Sequence, residues 1–152
     1  MKKLLISVLC IVLLLSFSGC ASKEKDYDSE ITAFSYHFGS GEGVSWKYDI
    51  EPISGVQTLT VTNFSGVEVA AERPVTAAQL TALNKIITDN QIYKWNKFNK
   101  SERNIMDGNS FSLSVTYANG KSIIASGYMK YPKNYDAGHA ALAAYLADLA
   151  AI

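Results

Sequence analysis

The chain has 152 residues, 14 basic and 14 acidic, for a formal net charge of zero. That balance excludes the strongly basic surface a nucleic-acid binder needs, so no nucleic-acid partner is expected. Its two cysteines, Cys10 and Cys20, exclude a disulfide framework.

The chain opens on a short basic start, Met1-Lys2-Lys3, followed by an almost unbroken apolar run from Leu4 to Phe17 and small residues at Ser18-Gly19-Cys20-Ala21. A helix over about 14 residues reaches roughly 21 Å, short of a hydrocarbon core of about 30 Å. Length and flanks therefore predict a cleaved signal peptide over residues 1–19 rather than a permanent span. An ordinary signal peptide that ends near a cysteine and an uncleaved anchor are the alternatives. The junction Phe17-Ser18-Gly19-Cys20 resembles the lipobox of bacterial lipoproteins, with Phe17 where an aliphatic residue is usual. The resemblance implies cleavage before Cys20 and a lipid on its thiol. The membrane would then be a partner through that lipid, and the domain would sit exported on the outer face of a bacterial membrane. Cleavage would also remove Cys10, leaving one acylated thiol and no internal disulfide, and would take Lys2 and Lys3, tipping the charge slightly negative. Residues 20–30 follow as a lipidated cysteine and charged tether, since Ser22 to Glu30 is nearly free of apolar residues.

Residues 31–152 are predicted to form a single domain. Phe34, Tyr36 and Phe38 alternate along one strand. Val44, Trp46, Tyr48 and Ile50 alternate along the next, with Ser45, Lys47, Asp49 and Glu51 between them. A two-residue turn at Ser54-Gly55 would set Ile50 against Leu59, Tyr48 against Val61, Asp49 against Thr60 and Lys47 against Thr62. A three-residue loop at Phe64-Ser65-Gly66 would set Val61 against Val69 and Leu59 against Ala71. Thr76 with Gln79 is a capping box. Val75 and Leu80 form a hydrophobic staple, and Leu80, Leu83 and Ile87 recur at helical spacing up to a stop at Asn90.

Asn119-Gly120 predicts a type I′ turn with Val115 opposite Ile124, Leu113 opposite Ser126 and Phe111 opposite Tyr128. After Pro132, Asn134 is expected to cap a helix lined by Tyr135, Leu142, Leu146 and Leu149. The fold expected is α+β: an antiparallel sheet of about six strands, in the order four strands, helix, two strands, helix, with both helices on one face.

Trp95-x-x-Phe98, Asp107-Gly108-x-Ser110-Phe111-Ser112-Leu113-x-Val115 and Ala125-x-Gly127-Tyr128-x-x-Tyr131-Pro132-x-Asn134-Tyr135 form a pattern. It resembles one in a group of small exported or lipid-anchored bacterial proteins of unknown function. The resemblance implies a shared domain over the C-terminal part of the chain and implies no activity.

Chemistry-bearing residues are sparse. His37 is expected on the polar side of its strand and His139 at the border of the core, which gives no metal pair. Asp107-Gly108-Asn109 reads as a turn rather than a calcium loop, and Asp49 with Glu51 as a solvated strand face. No catalytic residue, metal or cofactor is expected. The candidate binding surface is Trp95, Phe98, Tyr131 and Lys133, with Tyr128, Tyr135 and Lys130 nearby. Aromatics beside polar segments suit either recognition or closure of the sheet's end, and Trp95 is where the two readings diverge most. If it closes the sheet, its N–H should meet a carbonyl. The function expected is a monomeric, non-catalytic binding or accessory module of the cell envelope, with an envelope protein or glycan as partner. The alternative is an inhibitor or regulator of an envelope hydrolase, and an enzyme ranks third.

Overall fold

A computed structural model describes residues 25–40, 43–63 and 68–151. The leader, Cys20 and the loop Phe64-Ser65-Gly66 lie outside the described residues. The centre of the fold is β1 (Ile31–Ser40), which pairs antiparallel with β2 (Trp46–Ile53) on one side and β6 (Asn109–Tyr117) on the other. Phe34 lies between Ile50 and Val115, and Tyr36 between Tyr48 and Leu113, so the buried face runs across all three strands. Ser35 and His37, with partners Asp49, Lys47, Ser114 and Ser112, lie on the opposite face. Single-residue alternation is enough to sort the two faces.

The first hairpin follows the predicted register. β2 and β3 (Val56–Asn63) pair Ile50 with Leu59, Asp49 with Thr60, Tyr48 with Val61 and Lys47 with Thr62. Ser54 and Gly55 both have positive φ, 52° and 83°, as a type I′ turn requires.

Two other registers depart from expectation. Between β3 and β4 (Glu68–Pro74), Val61 faces Ala71 rather than Val69, and Leu59 faces Arg73 rather than Ala71. A bulge after Val61 uses one extra residue of β4 and turns Val69 outward, where it is 62% exposed. Between β6 and β7 (Ser122–Tyr128), the partners are Val115–Ile123, Leu113–Ala125 and Phe111–Gly127, one residue away from the predicted set. The cause is the turn. Tyr117 N–H donates to Lys121 carbonyl at 3.0 Å, which encloses three residues, and only Gly120 has positive φ, 78°. A three-residue loop with glycine in the left-handed position replaces the type I′ turn. Ile123 becomes fully buried and Ile124 exposed.

The sheet has seven strands in the order β4-β3-β2-β1-β6-β7-β5, one more than expected. The addition, β5 (Asn99–Ser101), runs parallel to β7, so the sheet is mostly rather than wholly antiparallel. Three exposed polar residues carry no alternation by which to recognise a strand.

Helix α1 (Ala77–Asp89) starts at the Thr76–Gln79 capping box, closes at Asn90 and buries Leu80, Leu83 and Ile87. Helix α2 (Tyr135–Ala151) buries Gly138, Leu142, Leu146 and Leu149. Asn134, the expected cap, is left-handed at φ 62°, and its carbonyl accepts from Gly138 N–H. Tyr145 hydroxyl donates to Gln79 carbonyl at 2.8 Å, tying α2 to α1. Each fully buried Leu or Ile contributes about 1.5–3 kcal/mol. Among the described residues, no helix is long and apolar enough to cross a membrane.

The charged stretch expected to run free to Glu30 is fastened to the domain from Asp26 on. Asn84 donates to the carbonyls of Tyr27 and Ser29, Asn119 donates to Asp26 carbonyl, and Tyr27 stacks on Tyr93 at 5.7 Å. One aromatic and a few side-chain-to-backbone bonds suffice, and a reading of hydrophobicity does not register them.

Candidate functional site

Phe111 is the hub of an aromatic cluster at one end of the sheet. Tyr135 lies 4.7 Å from it, Trp95 5.9 Å, Tyr131 6.0 Å and Phe98 6.2 Å, centroid to centroid. A short 3-10 turn, Ile92–Trp95, swings the Trp95 indole beneath the start of α2. There Gly138 leaves room for it: a Cβ at that position would sit 2.5 Å from Trp95 Cζ2.

The outer side of the cluster is an open groove of about 410 Å³. Its rings are Phe38, Tyr131, Tyr135 and His139, and its polar lining is Asn109, Ser110 and Asp136. The helix sets two of these groups, because Tyr135 and His139, four residues apart, project from one face. Their rings stack nearly parallel, at 5.4 Å and 4°. Tyr131 packs on Tyr135 at 4.5 Å with its ring tilted by 30°, and its hydroxyl donates to Asn109 carbonyl at 3.3 Å. Phe38 meets His139 edge-on at 4.7 Å. Beneath them the buried Tyr36 hydroxyl lies 2.8 Å from His139 Nδ1 and 3.5 Å from Tyr135 hydroxyl.

Burial pushes the Tyr36 phenol far above the ordinary tyrosine range, and nearby Tyr135 adds to the effect. Burial likewise pushes Tyr135 up to about 12. Tyr131 is raised by burial and then by the Asp136 carboxylate. Burial lowers His139, with Asp136 opposing. At neutral pH the groove therefore presents protonated hydroxyls, a neutral imidazole, aromatic surface and one carboxylate.

Of the four residues singled out by sequence, only Tyr131 lines this groove, at 38% exposure. Trp95 is 1% exposed and belongs to the core. Its indole nitrogen, expected to meet a carbonyl, has no hydrogen-bond partner among the described residues. Lys133 lines a separate cleft of about 210 Å³ with Gln91, Lys94, Trp95, Pro132 and Asn134. Phe98 is half-buried against Phe111, with Lys100 over its ring at 5.7 Å. Tyr128 sits opposite Ser110, not Phe111. It ties down the preceding loop, donating to Ile105 carbonyl and accepting from Gly108 N–H, each at 2.8 Å. Lys130 is engaged with Glu102 at 2.6 Å.

Phe38, Asn109, Asp136 and His139 were not singled out by sequence as binding residues. Spacing along α2 aligns His139 with Tyr135, but only the tertiary fold brings that helix face against β1. His37 faces Lys47 and Ser112 across the other side of the sheet, so the two histidines lie on opposite faces. Asp49 pairs with Lys47 at 2.8 Å, while Glu51 is exposed. Asp28 and Glu30 border a shallow cleft of about 360 Å³ beside α1, and both are exposed. No protein family, curated protein or solved structure matches the chain.

Proposed function

We propose that the chain is a lipid-anchored, extracytoplasmic binding module of the bacterial cell envelope, non-catalytic and monomeric, that takes its ligand at the aromatic groove between β1, β6 and α2. The leader and the lipobox-like Phe17-Ser18-Gly19-Cys20 support the anchoring half of this reading, as does the resemblance of the C-terminal motifs to small exported proteins. The observation that carries the binding half is the convergence of Phe38, Tyr131, Tyr135 and His139 with Asn109, Ser110 and Asp136 on one open concavity. A few polar groups among ring surfaces are the usual composition of a ligand site. An aromatic surface also yields much contact area for little lost side-chain freedom. An envelope protein or glycan is the partner class that suits this location.

Capture from envelope extracts with the acylated protein tests the reading. Tyr131→Ala, confirmed by melting to be folded, should lose the captured component. Ser112→Ala, on the far face of the sheet, should retain it. Equal capture by both variants would contradict the assignment of the groove.

A further inference from the structure

We infer that the groove recognises a primary ammonium group on an aliphatic stem, the chemistry of a lysine side chain on an envelope peptide or protein. The inference rests on the reading of the groove as a binding site and adds the chemistry of what enters it.

Charge carries the argument. Asp136 is the one formally charged residue lining the groove, and no ion pair to its carboxylate is made among the described residues. Its field reaches the lining, since it helps raise Tyr131 and Tyr135 and counters the fall at His139. The lysines nearest in sequence are directed elsewhere: Lys130 is paired with Glu102, and Lys133 lines the cleft beside Trp95. The groove is thus negative, uncompensated and walled by rings, whose electron-rich faces attract cations. An anionic ligand would be repelled.

Asp136 also lies in the first turn of α2, where an acidic residue is favoured by the helix dipole. That explains a carboxylate at this position. It does not explain the open, ring-walled concavity next to it.

The acceptors favour a primary over a quaternary ammonium. A primary ammonium has three N–H donors to place. The Asp136 carboxylate can take one, and Asn109 adds a polar side chain to the same lining. The methylenes of a lysine-like stem can lie along aromatic rings while the charged end reaches the carboxylate.

The test is an NMR titration of the mature acylated protein in neutral detergent, reading the ring signals of Tyr131, Tyr135 and His139. Three probes are compared: Nα-acetyl-lysine N-methylamide, the norleucine counterpart that lacks only the ammonium, and tetramethylammonium. The lysine probe should move the ring signals and bind about ten-fold tighter than the norleucine probe. Tetramethylammonium should bind more weakly than the lysine probe. Asp136→Asn should abolish the preference, and Asp148→Asn, near the other end of the same helix, should leave it intact. Equal binding of lysine and norleucine probes, or a preference that survives Asp136→Asn, overturns the inference and leaves the groove as a binding site. Tighter binding of tetramethylammonium overturns it in favour of a headgroup ligand. If no probe moves the ring signals, the inference fails. The Tyr131→Ala capture result then decides separately whether the groove binds anything.

Discussion

The Tyr36 hydroxyl and His139 Nδ1 meet at 2.8 Å across the seam between the sheet and α2. Tyr135 hydroxyl, at 3.5 Å, is a poorer partner for Tyr36. Tyr36 and Nδ1 share one hydrogen bond, and which of the two donates follows the imidazole tautomer. Protonating His139 would place a charge in a half-buried site.

The first prediction follows from that arrangement. Burial holds His139 below the ordinary histidine range, so as pH falls through about 6.5 the unfolded chain takes up a proton before the folded one does. Stability should decline as pH drops from 7 toward 5.5. His37, also lowered by burial, adds to the slope. Thermal melts across that range should show a shallower decline for His139→Gln than for the wild type. An unchanged slope would remove His139 as a cause.

Trp95 and Gly138 make a second, paired prediction. Trp95→Ala empties a fully buried site and should cost about 3–5 kcal/mol. Trp95→Phe should cost clearly less, because it also removes an indole N–H left without a partner. Gly138→Ala raises helix propensity by about 1 kcal/mol yet should destabilise, since the new methyl meets the indole at 2.5 Å. A stabilising Gly138→Ala in chemical denaturation would show that the indole is not packed there.

The turn at Asn119-Gly120 gives a third. Only Gly120 is left-handed, so Gly120→Val should cost on the order of 1–2 kcal/mol. Asn119→Ala should cost less, losing its side-chain bonds to Lys121 N–H and Asp26 carbonyl. Equal costs in denaturant titrations would favour the type I′ turn instead.

This turn also marks how far the fold is legible in sequence. The Ser54-Gly55 register follows from alternation plus turn length, and both agree in the structure. At Asn119-Gly120 the alternation alone is ambiguous, because Ile123 and Ile124 are equally apolar. A single-residue difference in turn length decides which of them is buried. The bulge in β4 is hidden for the same reason, since Val69, Ala70 and Ala71 all suit an inward position. The capping box and the face of α1 are local and therefore readable. In the groove, Tyr131 stands out by its setting. Phe38, Asp136 and His139 become one site only through long-range packing, which periodicity does not encode. Gly138 is the one local signal of this packing, since a lone glycine in an alanine-rich helix marks a close approach.

The anchor yields a fourth prediction. Cys20→Ser should release the protein from membranes or leave the leader uncut, seen by fractionation and by the mass of the mature chain. An unchanged membrane fraction with an unchanged mass would contradict lipidation.

Binding at the groove is most directly tested by photo-crosslinking in living cells, with benzoylphenylalanine placed at Tyr131 in one strain and at Ser112, on the opposite face, in another. The expected result is a discrete envelope adduct from position 131 that is absent from position 112 and lost when Asp136→Asn is added. No adduct from 131, or the same adduct from both positions, would contradict binding at the groove.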